Sequence, residues 1–477
     1  MSEVDLVVRG GALVLRDGVR SWDVAVADGR IVEIGADLGV QGREEIDAGG
    51  LHVFPGGVDP HVHFDEPGRT DWEGFQSGTE ALAAGGVTTF IDMPLNCTPV
   101  TCDGSSFELK RQAAEASALV DFALWGGLTP LNVERLDELA DHGVAGLKAF
   151  MCDSGIKEFP AADDFTLFEG MTRAAELGLL VAVHAENDAL TQGLAARVRR
   201  QGHVRPRDYV ASRPPIAEIE AIQRAVLLAE EAGCALHIVH VSTVRGIMLI
   251  ERARRRGVDV TCETCPHYLL FTAEDLDELG ASGKCLPPLR SEADRLGLWE
   301  LVEDGTIPFV ASDHSPAPPD LKTSADFFEI WGGIAGCQSA LQLLLAAQVE
   351  RGIALERIAA VLAANAAERF RLPGKGAIEA GNDADLVLVD LASASTLRAA
   401  DLRYRYATSA FLGSRVRGRI DRVLLRGISV MTAGRRAGAA CGRLVVPSRR
   451  PVGATAQARV GAVTGDRRPS QSDGTSD

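Results

Sequence analysis

Two histidines two residues apart, His61 and His63, close the stretch Val58-Asp59-Pro60-His61-Val62-His63-Phe64. In an extended strand, residues i and i+2 project from the same face, so both imidazoles reach toward one point. A His-x-His pair alone fits an ordinary loop as well as a metal site. The deciding question is whether other strand ends supply further ligands. Run 146–151 carries Lys148, 179–184 ends in His184, 235–241 carries His240, and 307–314 carries Asp313. Four imidazoles and a carboxylate are a donor set suited to zinc and neighbouring divalent ions. Lys148 is the odd member, because a buried ammonium is costly and repels a cation. An amine carrying carbon dioxide as a carbamate is instead anionic, with two oxygens, and can bridge two metals roughly 3.5–4 Å apart, the spacing of two-metal hydrolytic sites.

These residues need a scaffold that gathers distant strand ends. Eight apolar runs, 51–64, 86–93, 120–126, 146–151, 179–184, 235–241, 258–265 and 307–314, alternate with helical patterns such as 166–177 and 217–232. Eight β-then-α units predict an α/β fold, a (β/α)8 barrel over 53–372, whose chemistry sits at the C-terminal strand ends. Residues 1–52 read instead as short strands, separated by the turn signals Gly10-Gly11, Asp17-Gly18 and Asp28-Gly29. The same texture returns over 373–446, so the two ends are predicted to form one small β-sandwich with the barrel inserted between them. Over 447–477, Ser, Arg, Gly, Thr and Asp dominate, which predicts a disordered tail.

The 477 residues are 46% hydrophobic, enough for a barrel plus an accessory domain. The net charge of −17, from 66 acidic and 49 basic residues, argues against nonspecific nucleic-acid binding. No run reaches the ~18 apolar residues of a membrane helix. Met1-Ser2-Glu3-Val4-Asp5 has neither the basic nor the apolar region of a signal peptide. The nine cysteines then read as reduced thiols in a cytoplasmic protein.

In this order, His61-x-His63, Lys148, His184, His240 and Asp313 resemble the ligand set of the binuclear amidohydrolase superfamily. Within it they resemble the cyclic amidohydrolases: dihydroorotases, dihydropyrimidinases or hydantoinases, and allantoinases. The resemblance runs from about residue 4 to 430. It implies that His61 and His63 bind a first metal and His184 and His240 a second, with Lys148, as N6-carboxylysine, bridging them. It also implies that Asp313 binds the first metal and serves as general base. Zinc is the expected metal, with cobalt or manganese as alternatives, and a homotetramer is the expected assembly.

The loops beside the ligands separate the branches. Dihydroorotases resemble His-x-His-Leu-Arg, whose arginine holds the substrate carboxylate. Here position 65 is Asp65, and Arg69 is out of register. Hydantoinases and dihydropyrimidinases carry a tyrosine five residues after the bridging lysine, where this chain has Asp153. The allantoinase pattern is similar along several gap-free stretches: 64–75, Asp92-Met93-Pro94-Leu95-Asn96-Cys97-Thr98-Pro99, 148–160, Thr264-Cys265-Pro266-His267-Tyr268, 284–290, 312–319 and 331–336. The resemblance implies hydrolysis of one ring amide of allantoin to give allantoate. Backbone groups near Ser154, Leu286 and Gly332 would hold the ring, and Asn96 and Ser315 the ureido arm. The competing readings are a hydantoinase ahead of a dihydroorotase, and a non-catalytic scaffold homologue, which would be expected to have lost ligands that this chain retains. Four further features carry no assigned chemistry. Cys262-x-x-Cys265 reads as structural thiols, and His237 as a structural residue on the strand face opposite His240. His267 reads equally as a pocket-lining or a merely hydrogen-bonded side chain. Asp163-Asp164 reads as a capped helix start.

Overall fold

The structure is a computed structural model that describes residues 3–449. Eight strand positions form the barrel: Gly57–Val62, Val87–Asp92, Asp121–Leu124 continued by Gly126–Gly127, Leu147–Phe150, Leu180–His184, Ala235–Ile238, Val260–Thr264 and Phe309–Val310. Neighbours pair in parallel. The strands are apolar and buried almost throughout, because a parallel barrel covers both of their faces. The third strand breaks at Trp125, whose backbone N–H donates to Asp92 O and whose indole donates to Pro60 O at 3.0 Å.

The eighth strand has only two ladder residues, and other contacts close the barrel. Val62 bridges His314, His63 N–H donates to His314 O at 2.7 Å, and Ser312 N–H donates to Asp59 Oδ1 at 3.2 Å. This seam sets His61 and His63 beside Asp313. The connecting helices start and stop where their ends dictate. Asp164–Glu176 is capped by Asp163, which accepts from Thr166 N–H at 2.8 Å. Pro215–Ala232 begins on prolines and ends at Gly233 with φ +65°.

Run 51–64 is two strands rather than one. His52–Pro55 pairs with Leu386–Val389 of the C-terminal segment, and Gly57–Val62 enters the barrel. Between them a Cβ on Gly56 would lie 2.1 Å from Thr88 Oγ1, so only glycine passes from one domain to the other there. Gly10-Gly11 is likewise no hairpin. It is a bulge within the single strand Glu3–Leu15, where the register slips between Val8 and Gly11. Strands from both chain ends join in one nine-stranded sheet. It folds as a sandwich around Leu6, Val8, Val24, Ile31, Val53, Leu386 and Leu424.

Lys375 stitches this domain to the barrel. Its Nζ lies 2.6 Å from Asp121, on the third barrel strand, and 2.9 Å from both Asp383 and Asp385. Beyond the sheet the chain returns to the barrel, with Leu444 bridging Phe122 and Ser448 N–H donating to Arg371 O. Most of the predicted tail, 450–477, lies outside the described residues. Among the described residues no helix is long and apolar enough to cross a membrane. All nine cysteines are free.

Candidate metal centre

Two clusters of ligand atoms meet at the C-terminal mouth of the barrel. In the first, Asp313 Oδ1 lies 3.1 Å from His61 Nε2 and 3.6 Å from His63 Nε2. Behind His61, the Nδ1–H donates to Glu263 Oε1 at 2.5 Å. The other Glu263 oxygen accepts from His237 Nε2–H at 3.1 Å, and His237 Nδ1 reaches Thr261 Oγ1 at 2.9 Å. The Glu263 contact keeps a proton on His61 Nδ1, so Nε2, facing Asp313, is the nitrogen a metal would take in place of a proton. Against the effect of burial, flanking Asp313 and Glu263 raise His61 to about 9. The same histidines hold Asp313 well below the usual carboxylate range despite its burial.

In the second cluster His184 Nδ1 and His240 Nε2 converge to 3.0 Å. His184 Nε2–H donates to Glu186 Oε2 at 3.0 Å, and Arg213 holds the same oxygen at 2.5 Å. Phe150 stacks on His184 with centroids 4.6 Å apart and an angle of 9°. Burial lowers His184, and burial with the neighbouring His184 lowers His240 well below the ordinary value, so both rings are neutral. His61 and His240 have ring centroids 5.4 Å apart, so the clusters adjoin. His240 and Asp313 adopt left-handed backbone, φ +38° and +45°, a strain of about 1–3 kcal/mol each of a kind concentrated at functional sites.

Lys148 sits on the fourth strand, fully buried, and its Nζ has no hydrogen-bond partner. Burial lowers it from 10.5 to about 7. A buried amine without a partner beside two imidazole–carboxylate clusters fits a centre that completes it with an anionic group. His61, His63 and Asp313 place their ligand atoms within 4.8 Å of one another, as a shared cation requires. Cys152, His184 and Glu186 form a comparable group. There, however, Glu186 is already paired with Arg213, so that set orients His184 rather than holding an ion of its own.

The predicted substrate contacts divide. A Cβ on Gly332 would lie 2.4 Å from Leu286 Cδ1, and one on Gly333 2.1 Å from Ser315 O, so Leu286, Gly332 and Ser315 line one edge. Asn96, at φ +68°, is held to the first loop by Arg69 Nη1 donating to its carbonyl at 3.2 Å. The Ser154 hydroxyl is turned into its own loop, donating to Phe159 O at 2.6 Å, which leaves only backbone for a ligand. Asp153 is exposed and accepts from Gly155 N–H at 3.0 Å. His267 is buried with both ring nitrogens unpartnered, and burial lowers it to about 4.

Sequence reasoning missed Glu263, Glu186 and Arg213. It also set His237 aside, although that ring positions Glu263. The signal was present for the two glutamates, since each is a carboxylate at an apolar strand end: Glu263 in Thr261-Cys262-Glu263-Thr264, and Glu186 two residues after His184. Arg213 gave none, because only the fold brings it to Glu186.

Comparison with known proteins gives the family and the fold. The model of the amidohydrolase family matches residues 52–430. An allantoinase of Rubrobacter xylanophilus is 58% identical over 450 residues, covering 94% of this chain and 99% of its own. An allantoinase of Deinococcus radiodurans is 50% identical over 93% of this chain and 99% of its own. Among solved structures, an L-hydantoinase (dihydropyrimidinase) from Arthrobacter aurescens superposes with a TM-score of 0.90 at 36% identity, covering 93% of this chain and all of the other. The chain belongs to the amidohydrolase family, in its allantoinase branch.

Proposed function

We propose that the protein hydrolyses one ring amide of allantoin to give allantoate, using a two-metal centre at the barrel mouth. The observation that supports this most directly is the meeting of the His61–His63–Asp313 and His184–His240 clusters around a partnerless Lys148. His61, His63 and Asp313 would hold one divalent ion, His184 and His240 a second, and carboxylated Lys148 would bridge them. Zinc suits this donor set, and cobalt or manganese would serve. Ions held there supply an acidified water and a Lewis acid for the ring carbonyl.

The chain's own groups handle the proton. Asp313 is ionised at neutral pH, so it accepts the proton of the attacking water as the C–O bond forms. It returns that proton to the ring nitrogen as the C–N bond breaks. Glu263 and Glu186 keep His61 and His184 in the tautomers this requires. The partnerless amine of Lys148, lowered to about 7, has a substantial neutral fraction near neutral pH, and the neutral amine is the form that adds carbon dioxide.

Allantoin is favoured over a plain hydantoin by the relatives named above and by position 153, where an exposed aspartate caps its own turn. We further propose a homotetramer in the cytoplasm. Purified protein supplied with zinc or cobalt and bicarbonate should hydrolyse allantoin faster than hydantoin, dihydrouracil or dihydroorotate. A clear preference for another ring overturns the substrate, and absence of bound metal in an inactive protein points to a scaffold instead.

A further inference from the structure

Trp331 is partly buried. The two fully buried tryptophans satisfy their indole N–H: Trp125 donates to Pro60 O at 3.0 Å and Trp299 to Leu269 O at 2.7 Å. Trp331 does not. Its Nε1 is buried and has no hydrogen-bond partner. An indole N–H can only donate, and a buried donor left unmatched carries its full desolvation cost.

Trp331 stands next to Gly332, whose Cα borders Leu286, and packs against the apolar cluster that takes in Leu95, Ile156 and Phe159. Leu95 precedes Asn96, and Phe150, which stacks on His184, packs against the same cluster. The Gly332–Leu286 approach and the contact with Trp72 set the ring among the loops that follow the barrel strands.

It is also held rigidly. Trp331 N–H donates to Leu321 O at 2.9 Å, and Lys322 Nζ donates to Trp331 O at 2.8 Å. Trp72 meets the ring edge-on with centroids 4.8 Å apart, and Arg69 lies 4.8 Å over Trp72 while its Nη1 grips Asn96 O. Loops after the first, second and eighth strands thus converge on one fixed donor. A preorganised donor discriminates strongly between ligands that offer an acceptor and those that do not.

We propose that Trp331 is a specificity residue whose indole N–H donates to the carbonyl oxygen of a ureido arm on the ring substrate, a deepening that rests on the allantoin reading above. Hydantoin lacks that arm and leaves the donor unmatched. The test is the ratio of kcat/KM for allantoin to that for hydantoin, in wild type and in W331F, which keeps an aromatic ring and loses the N–H. The ratio should fall about tenfold, the worth of one buried hydrogen bond to a neutral acceptor. Should W331F fail to fold, benzothienylalanine at position 331 has the shape of tryptophan with sulfur in place of N–H, and the same fall is expected. Equal losses on both rings, or an unchanged ratio, overturn the inference alone. Wild-type protein that hydrolyses no allantoin overturns the underlying reading and the inference with it.

Discussion

Lys148 and Lys375 are both buried lysines, and their surroundings are opposite. Lys375 lies at the seam between barrel and β domain, with three carboxylates within 2.9 Å that raise it above the ordinary lysine value despite burial. Its charge is neutralised and its hydrogens are used, as a structural clamp requires. Lys148, at the barrel mouth, has no hydrogen-bond partner, and burial takes it down to about 7 against the more distant pull of Glu263 and Asp313. Burial by itself therefore says nothing about role. The carboxylates within reach decide whether a buried amine stays an ammonium or becomes a neutral group able to react.

Exchanging the two roles by mutation tests the contrast. The largest effect is expected from Lys148→Ala, which should cut kcat by about a thousandfold or more, the several kcal/mol that metal ions supply to such reactions. Elemental analysis should show metal lost from the protein, while its melting temperature stays close to that of metal-free wild type. A variant retaining both metals and activity would refute the carbamate. Lys375→Met should do the reverse: it leaves the buried carboxylates of Asp121 and Asp385 beside Asp383 without the ammonium and should cost about 3–5 kcal/mol in urea unfolding, with metal stoichiometry unchanged. If Lys375→Met instead unfolds with wild-type stability, the clamp is not one.

Glu186→Gln comes next, because it weakens the grip on His184 Nε2 without removing a ligand atom. Titration should show the ion that His184 and His240 would hold losing about 10- to 100-fold in affinity. Unaltered affinity would show that Glu186 has no part in orienting His184.

The smallest effect concerns pH. Only the neutral amine adds carbon dioxide, and the folded Lys148 titrates near 7 rather than 10.5. At constant dissolved carbon dioxide, reactivation of stripped protein should therefore rise only about tenfold from about pH 6 to about pH 8 and level off above, whereas an ordinary lysine would give about a hundredfold. The sign for stability agrees. Between about 7 and 10.5 the unfolded chain binds more protons at this residue, so its contribution to the stability of metal-free protein grows with pH across that window and is least below it. A hundredfold rise in reactivation would mean that Lys148 is an ordinary ammonium.

Much of the fold was legible because its signals are local. The alternation of apolar runs with capped amphipathic helices is a periodicity, and Asp163 caps its helix as its neighbours imply. The failures occurred where a local signal has two meanings. Gly10-Gly11 reads as a turn, yet here it makes a bulge. A Cβ on Gly11 would lie 2.6 Å from Val53 Cγ2, and that neighbour arrives from a distant part of the chain. Run 51–64 reads as one strand because nothing within it announces that its first half pairs with residues 386–389.

The same division runs through the site. His61, His63, Lys148, His184, His240 and Asp313 were visible in the chain because ligand chemistry restricts residue type, and barrel topology restricts where along each strand such residues stand. The groups that tune them were not visible. Arg213 reaches Glu186, Glu263 joins His61 to His237, and Trp331 meets Trp72, all across long separations in sequence. Residue type and spacing therefore picked out the six side chains that the barrel brings to one mouth. Which tautomer each histidine adopts, and which lysine keeps its charge, depends on distances between strands and loops, and only the closed barrel sets those distances.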